Sequence, residues 1–326
     1  MFFRKHSSHT VPWRTTVGNL ALLSLPIILY VVGAITIDGF ISWNSIVSIV
    51  ILASFLGIAA IGPTITIIIG GLDLSIASVI GLANVLIISL YGSGWPFFEA
   101  LGTVMFISIV IGLLNASISL ALRIHPIITT LGTGLIIWGG VLSWGHAQVS
   151  GAVPHWLTNS VSAIGHTGIL PIPGVILLWV VISLMIIVLL RTTRIGHEIY
   201  AIGANLKAAR FAHVRSKWAW IFTFGLSSFS AALVGVLLAG YAGAPDANIG
   251  QPFLFQSIMA VVIGGTTTAG EGGYGNTIIG VLVVVELTTL LQGAGISSSL
   301  QLSFFGLMVV FLAALYGRDY HISRRI

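Results

Sequence analysis

Cysteine is absent from this chain, so neither a disulfide framework nor a thiolate metal site can contribute to it. Charge is scarce as well. Lys and Arg number 13 and Asp and Glu 8 in 326 residues, or 6%, far below the share in soluble domains. No Gly-Lys pair occurs, so no GxxxxGK[ST] phosphate loop exists on this polypeptide and any ATP hydrolysis must come from a partner. HExxH, GxSxG and dense carboxylate clusters are also missing, which leaves an intramembrane enzyme without a catalytic constellation. His146, His155 and His166 lack helical metal-ligand spacing and read as surface residues, not a zinc site.

What the chain has instead is apolar surface. It is 56% hydrophobic with mean hydropathy +1.08, and its apolar runs recur along the whole sequence, so one multi-span membrane domain over 1–326 is expected. Runs long enough for roughly 30 Å of hydrocarbon fall at 19–37, 46–69, 74–90, 100–122, 127–144, 174–190, 218–240, 253–265, 275–292 and 300–316. The fold class is therefore all-α, a polytopic membrane protein of about ten transmembrane helices. The eighth and ninth runs are short and glycine-rich, as half-helices or a re-entrant pair would be. The basic start, MFFRKHSSHTVPWR, precedes a long run with no small-residue cleavage site and reads as an uncleaved first span.

The net charge of +5 records topology here and does not point to nucleic acid. With both termini cytoplasmic, ten spans put every cation inside: Arg4, Lys5 and Arg14, then Arg123, then the 191–217 loop, then Arg318, Arg324 and Arg325. Asp38, Glu99 and Asp246 fall outside. The 143–174 segment, extracytoplasmic in this topology, mixes Trp with polar and Pro residues, as an interfacial platform would.

Six cations (Arg191, Arg194, Lys207, Arg210, Arg215, Lys217) gather around TTRIGHEIYAIGANLKAARFAHV, residues 192–214. Asn205 is a good N-cap for a helix LKAARFAH, on which Lys207 and Arg210 share a face. So short a helix needs a neighbour to order it. Anionic lipid headgroups and a docked partner protein both suit its charge. Arg194 and Glu198, at i,i+4, read as a solvated pair.

These residues carry a resemblance. TRIGHEIYAIGANLKAAR is similar to the TRxGxxxYAIGxNxxAA loop of the sugar-type permeases of bacterial ABC importers, the ribose, xylose, galactose and autoinducer-2 family. IIIGGLDLSIAS (67–78) resembles that family's GGIDLSVGS, HPIITTLGT (125–133) its PPFIATLGT, VVIGGTTTAGEGG (261–273) its VVLGGTSLSGGKG, and GISSSLQ (295–301) its GVSSYWQ. The matches follow the family's order across nearly the whole chain. The resemblance implies an ABC importer permease fold, with 205–213 as the coupling helix that rests on an ATP-binding subunit. It places Gly203, Asn205, Lys207, Ala208, Ala209 and Arg210 in that contact. It further implies ATP and Mg on the partner and none on this chain, a second permease chain (identical or homologous), an extracytoplasmic solute-binding protein, and a bacterial inner-membrane location. The solute implied is a monosaccharide or related polyol.

Six polar residues in or beside spans are candidates for the translocation pathway: Asp73, Asn115, Glu286, Thr288, Thr289 and Gln301. Each has a structural alternative. Asp73 could cap the following helix, Glu286 could pair with a polar neighbour, and the others could make interhelical hydrogen bonds. Glu286 stands where relatives are apolar, and Thr288 and Thr289 where they often carry Asn. Pro63, His125 and FAHV (211–214) also depart from the family's pattern, and Pro63 implies a kink in the second span. The rival reading, an ion-coupled secondary transporter using Glu286 or Asp73, lacks a visible paired relay.

Overall fold

The structure is a computed structural model that describes residues 12–145, 151–165, 167 and 172–322. Expectations for Arg4, Lys5, His146, His166, Arg324 and Arg325, and for the side chains of Arg14 and Arg318, lie outside the described residues. Among the described residues regular structure is helical, apart from isolated bridge positions at Thr167 and at the pair Thr267 and Glu271.

Each of the ten expected runs falls on one helix: α1 (Pro12–Thr36), α2 (Trp43–Ile68), α3 (Ile76–Gly92), α4 (Phe97–Leu122), α5 (Pro126–Gly145), α7 (Gly174–Thr192), α10 (Ser216–Ala242), α11 (Gln251–Ile263), α12 (Tyr274–Gly293) and α13 (Ser298–Ile322). Three short helices, α6 (His155–Val161), α8 (Arg194–Ala204) and α9 (Leu206–Phe211), lie in the connections. Among the described residues, six helices, α2, α4, α5, α7, α10 and α12, are long and apolar enough to cross a membrane alone.

Small residues decide which helices form the core. α2 and α10 are buried on nearly every side, and both carry Gly, Ala, Ser and Thr through their lengths, which lets backbones approach closely. α10 packs along α2, α3 and α4, while α1, α5 and α7 leave broad apolar faces exposed. A hydrogen-bonded chain ties three helices together: Trp179 of α7 donates to the Tyr274 hydroxyl of α12 at 3.2 Å, which donates to the Gly57 carbonyl of α2 at 2.8 Å. α2 runs on through Pro63 as one helix. Beside that proline the Thr64 and Thr66 hydroxyls donate to the carbonyls of Ala60 and Gly62.

The two GG pairs end α2 and α11 in the same way. Gly70 and Gly265 take left-handed φ of 91° and 73°. Gly70 and Gly71 donate back to Ile67 and Thr66, and Gly265 and Thr266 to Val262 and Val261, the pattern of a Schellman stop. Both stops sit at the α8–α9 end of the molecule, where Gly203 packs on the Ile68 carbonyl and Tyr200 donates to Gly272 at 3.1 Å.

Two segments leave the helical form at depth. From the α2 stop, residues 71–75 run without regular secondary structure beside α10, where Asp73 meets Ser227, roughly 16 Å along α10 from Ser216 at a 1.5 Å rise per residue. From the opposite end, 243–250 descends from α10 to the first turns of α3, where Gly250 packs on the Ala77 carbonyl and Gly81 on that of Ala247. α11, with 13 residues, is therefore a half-helix of about 20 Å, as its run suggested. α12, with 20 residues, is long enough to cross. The second broken element is α3, which the sequence pattern had marked as an ordinary span.

A β-carbon at position 250 has no room against the Ala77 carbonyl, whereas Gly102 faces open space. Gly250→Ala is expected to destabilise the protein by about 1–3 kcal/mol through overpacking and Gly102→Ala to leave it unchanged, read as the thermal unfolding midpoints of the two variants in the same detergent.

Candidate functional site

The basic stretch folds as two short helices capped in turn. Thr193 accepts from Gly196 N–H at 3.2 Å to start α8, and Asn205 accepts from Ala208 N–H at 3.0 Å to start α9. α9 stops at Phe211, because His213 adopts a left-handed φ of 58° and Val214 N–H returns to the Ala209 carbonyl. It is one and a half turns long, shorter than the expected 206–213.

The six coupling residues divide by what they touch. Gly203 has no room for a side chain because its Cα lies on the Ile68 carbonyl at the end of α2. Ala209 is buried and Asn205 serves as the cap. Lys207, Ala208 and Arg210 face outward. So do two apolar side chains that the charge pattern did not single out, Leu206 and Phe211, the latter 86% exposed. By their helical spacing they form one outward face, with the two cations side by side between Leu206 and Phe211. Arg194 pairs with Glu198 at 3.0 Å, but only the arginine is open to solvent: its side chain is 78% exposed and that of Glu198 11%, so the pair is half-buried and not the solvated one expected. Burial pushes the Tyr200 phenol above its usual value, opposed in part by Arg191, so it remains a neutral donor to Gly272 beneath this surface.

The candidate pathway residues do not converge. Asp73 is 1% exposed. One carboxyl oxygen accepts from the backbone and hydroxyl of Ser75 at 3.0 and 2.6 Å, and the other from Ser227 at 2.7 Å. It holds the turn before α3 and does not reach the second or third residue of that helix, as a cap would. Asn115 joins the same network: its amide donates to Ser75 at 3.0 Å, and its oxygen accepts from Thr133 at 2.7 Å. Thr130 completes it by accepting from Leu74 N–H at 3.0 Å.

The other four lie on α12 and α13. Thr288 and Thr289 donate to the carbonyls one turn back, and Gln256 reaches Thr288 at 3.5 Å. Gln301 donates to the Ile296 carbonyl at 2.8 Å, bracing the α12–α13 turn. Glu286 is 7% exposed and has no ion-pair or hydrogen-bond partner among the described residues. His155 is exposed, and no group of three or more His, Cys, Asp or Glu residues suited to a metal occurs among the described residues.

The 243–250 descent was missed in the sequence. Its signals are Gly243, Pro245 and Gly250 around an otherwise unremarked loop, together with Asn84, a fully buried amide whose oxygen accepts from Asp246 N–H at 2.9 Å. Trp138 of α5 donates to Asn248 of the same segment at 2.9 Å.

The described residues thus form a helical bundle with two re-entrant breaks and a capped, outward-facing loop helix. Residues 45–313 match the family described as branched-chain amino acid transport system, permease component, and the chain belongs to that family. It is 26% identical over 276 residues to the autoinducer 2 import system permease protein LsrD of Yersinia enterocolitica, covering 83% of this chain and 82% of that protein. The LsrD proteins of Klebsiella pneumoniae and Photorhabdus laumondii are equally similar, at 26% over 277 and 272 residues, covering 82% and 81% of this chain and 81% and 80% of theirs. No solved structure matches. These findings agree with the sugar-type ABC permease resemblance, and the chain is a transport component of that kind.

Replacing Asn205 by Ala removes the α9 cap, at a cost of about 1 kcal/mol. Hydrogen exchange of the 206–211 amides should speed up roughly fivefold, the factor that this energy corresponds to, with exchange in α10 unchanged.

Proposed function

We propose that this chain is the membrane-spanning permease of an ATP-driven importer in a bacterial inner membrane, moving a small hydrophilic solute, a monosaccharide or related polyol, into the cytoplasm. An ATP-binding subunit docks on α9, carrying the ATP and Mg. A second permease chain, identical or homologous, completes the pathway, and an extracytoplasmic binding protein delivers the solute.

The observation that carries this reading is the α8–α9 surface. Lys207, Arg210, Leu206 and Phe211 are presented outward on a helix too short to be stable alone, yet held by buried Ala209 against α8 and α10, with α8 in turn seated on the end of α2 through Gly203. A mobile basic loop would suffice for lipid. A seated one can transmit force. α1 begins at this end, since its other end meets Gly293 at the far end of α12. Arg123 and the 191–217 cations share the same end, which the positive-inside rule makes cytoplasmic. Closure of the ATP-binding subunits would then switch the pathway between two access states as a rigid-body change.

Reversing both charges, Lys207→Glu with Arg210→Glu, is expected to uncouple transport from ATP hydrolysis while the bundle stays folded. Purification in mild detergent with a salt wash reads the contact directly. Wild-type chain should retain an ATP-binding subunit identifiable by mass spectrometry, and the double variant should retain at least tenfold less. Wild-type retention and coupling in the variant would refute the docking role.

A further inference from the structure

A cavity of about 310 Å³ opens where the two broken segments meet, with Leu74, Ser78, Leu135, Trp138, Asn248 and Gln251 among its walls. None of its lining residues is ionisable. Its polar groups are neutral and in part unused. Ser78 is 7% exposed and its hydroxyl makes no hydrogen bond among the described residues. The Gln251 amide group and the Asn248 Nδ2 likewise have no partner there, while Asn248 Oδ1 is taken by Trp138.

We infer that this cavity is a solute subsite on the translocation pathway and that it selects uncharged, hydroxyl-bearing solutes. The inference rests on the importer reading and gives its pathway a location. Three arguments support it. Non-helical backbone at membrane depth is tolerated only inside protein or against a water-filled space, and 243–250 leaves Asn248 exposed on the chain. Free amide and hydroxyl groups beside an indole ring give a ligand both donors and acceptors together with an apolar platform, in a volume at the small end of ligand pockets. A zwitterionic amino acid or a phosphorylated solute needs charged partners when desolvated. Here the neighbouring carboxylate, Asp73, is buried with both oxygens engaged by Ser75 and Ser227.

The native chain has no cysteine, so single substitutions report only themselves. Ser78→Cys and Gln251→Cys are placed in the cavity wall, Leu184→Cys on the exposed apolar face of α7, and Glu99→Cys on the exposed end of α4 as a reference. Permeabilised membranes carrying the assembled importer are treated with three methanethiosulfonates, one linked to a neutral sugar, one to a quaternary ammonium and one to a sulfonate, each rate being divided by that at Glu99→Cys. The neutral reagent is expected to modify both cavity variants at least tenfold faster than either charged reagent, and Leu184→Cys to react with none. Equal rates for all three would overturn the selectivity. No reaction at either cavity position, or reaction at Leu184→Cys as fast as in the cavity, would overturn the site. A failure of the importer reading shows separately, as an absence of retained ATP-binding subunit, and leaves this labelling pattern readable.

Discussion

Backbone that leaves the helix inside hydrocarbon must find its hydrogen bonds within the protein, and the architecture of this chain follows from how two segments do so. Residues 71–75 are held by Asp73, Ser75, Asn115, Thr130 and Ser227. Residues 243–250 are held by Asn84 and their own Asp246, whose carboxylate accepts from Asn248 N–H at 2.8 Å. The buried polar residues at both interruptions are occupied in this way. The price of two interruptions is a core of small residues, since close packing of α10 on α3 and α4 brings Asn84, Asn115 and Ser227 within reach.

The same constraint links the two ends of the molecule. α8 rests on the Ile68 carbonyl, the α2 stop follows at Gly70, the Asp73 turn comes next, and Leu74 is already in the cavity wall. Seven residues thus run from the seat of the coupling surface to the proposed solute subsite. A displacement at the α8–α9 surface therefore bears on the backbone that lines the cavity, without a long relay of side chains.

Much of the site was legible and some was not, for physical reasons. Asn205, Lys207 and Arg210 could be read because capping and same-face spacing are local properties of the chain. Phe211 could not. An aromatic residue in a membrane protein carries no mark of facing outward at a loop. Asp73 was visible as an unusual acid, but its hydrogen bond to Ser227 spans 154 positions, which no local pattern encodes. Trp138, Asn248 and Gln251 went unnoticed because they are unremarkable apart and become a cavity wall only when α5, α3 and the start of α11 meet.

The sequence by itself determined a helical membrane protein, the approximate position of its apolar helices and the shortness of the eighth run, because hydropathy and run length act along the chain. Tertiary structure alone decided which helices are core. α7 is the more apolar by mean hydropathy, 2.7 against 2.4 for α2, yet 28% of its most apolar stretch is buried against 72%. Lipid tails are as apolar as a leucine, so hydrophobicity cannot tell a lipid-facing helix from a buried one. The difference lies in how closely backbones approach, which is settled only when Gly, Ala and Ser on one helix meet the matching face of another.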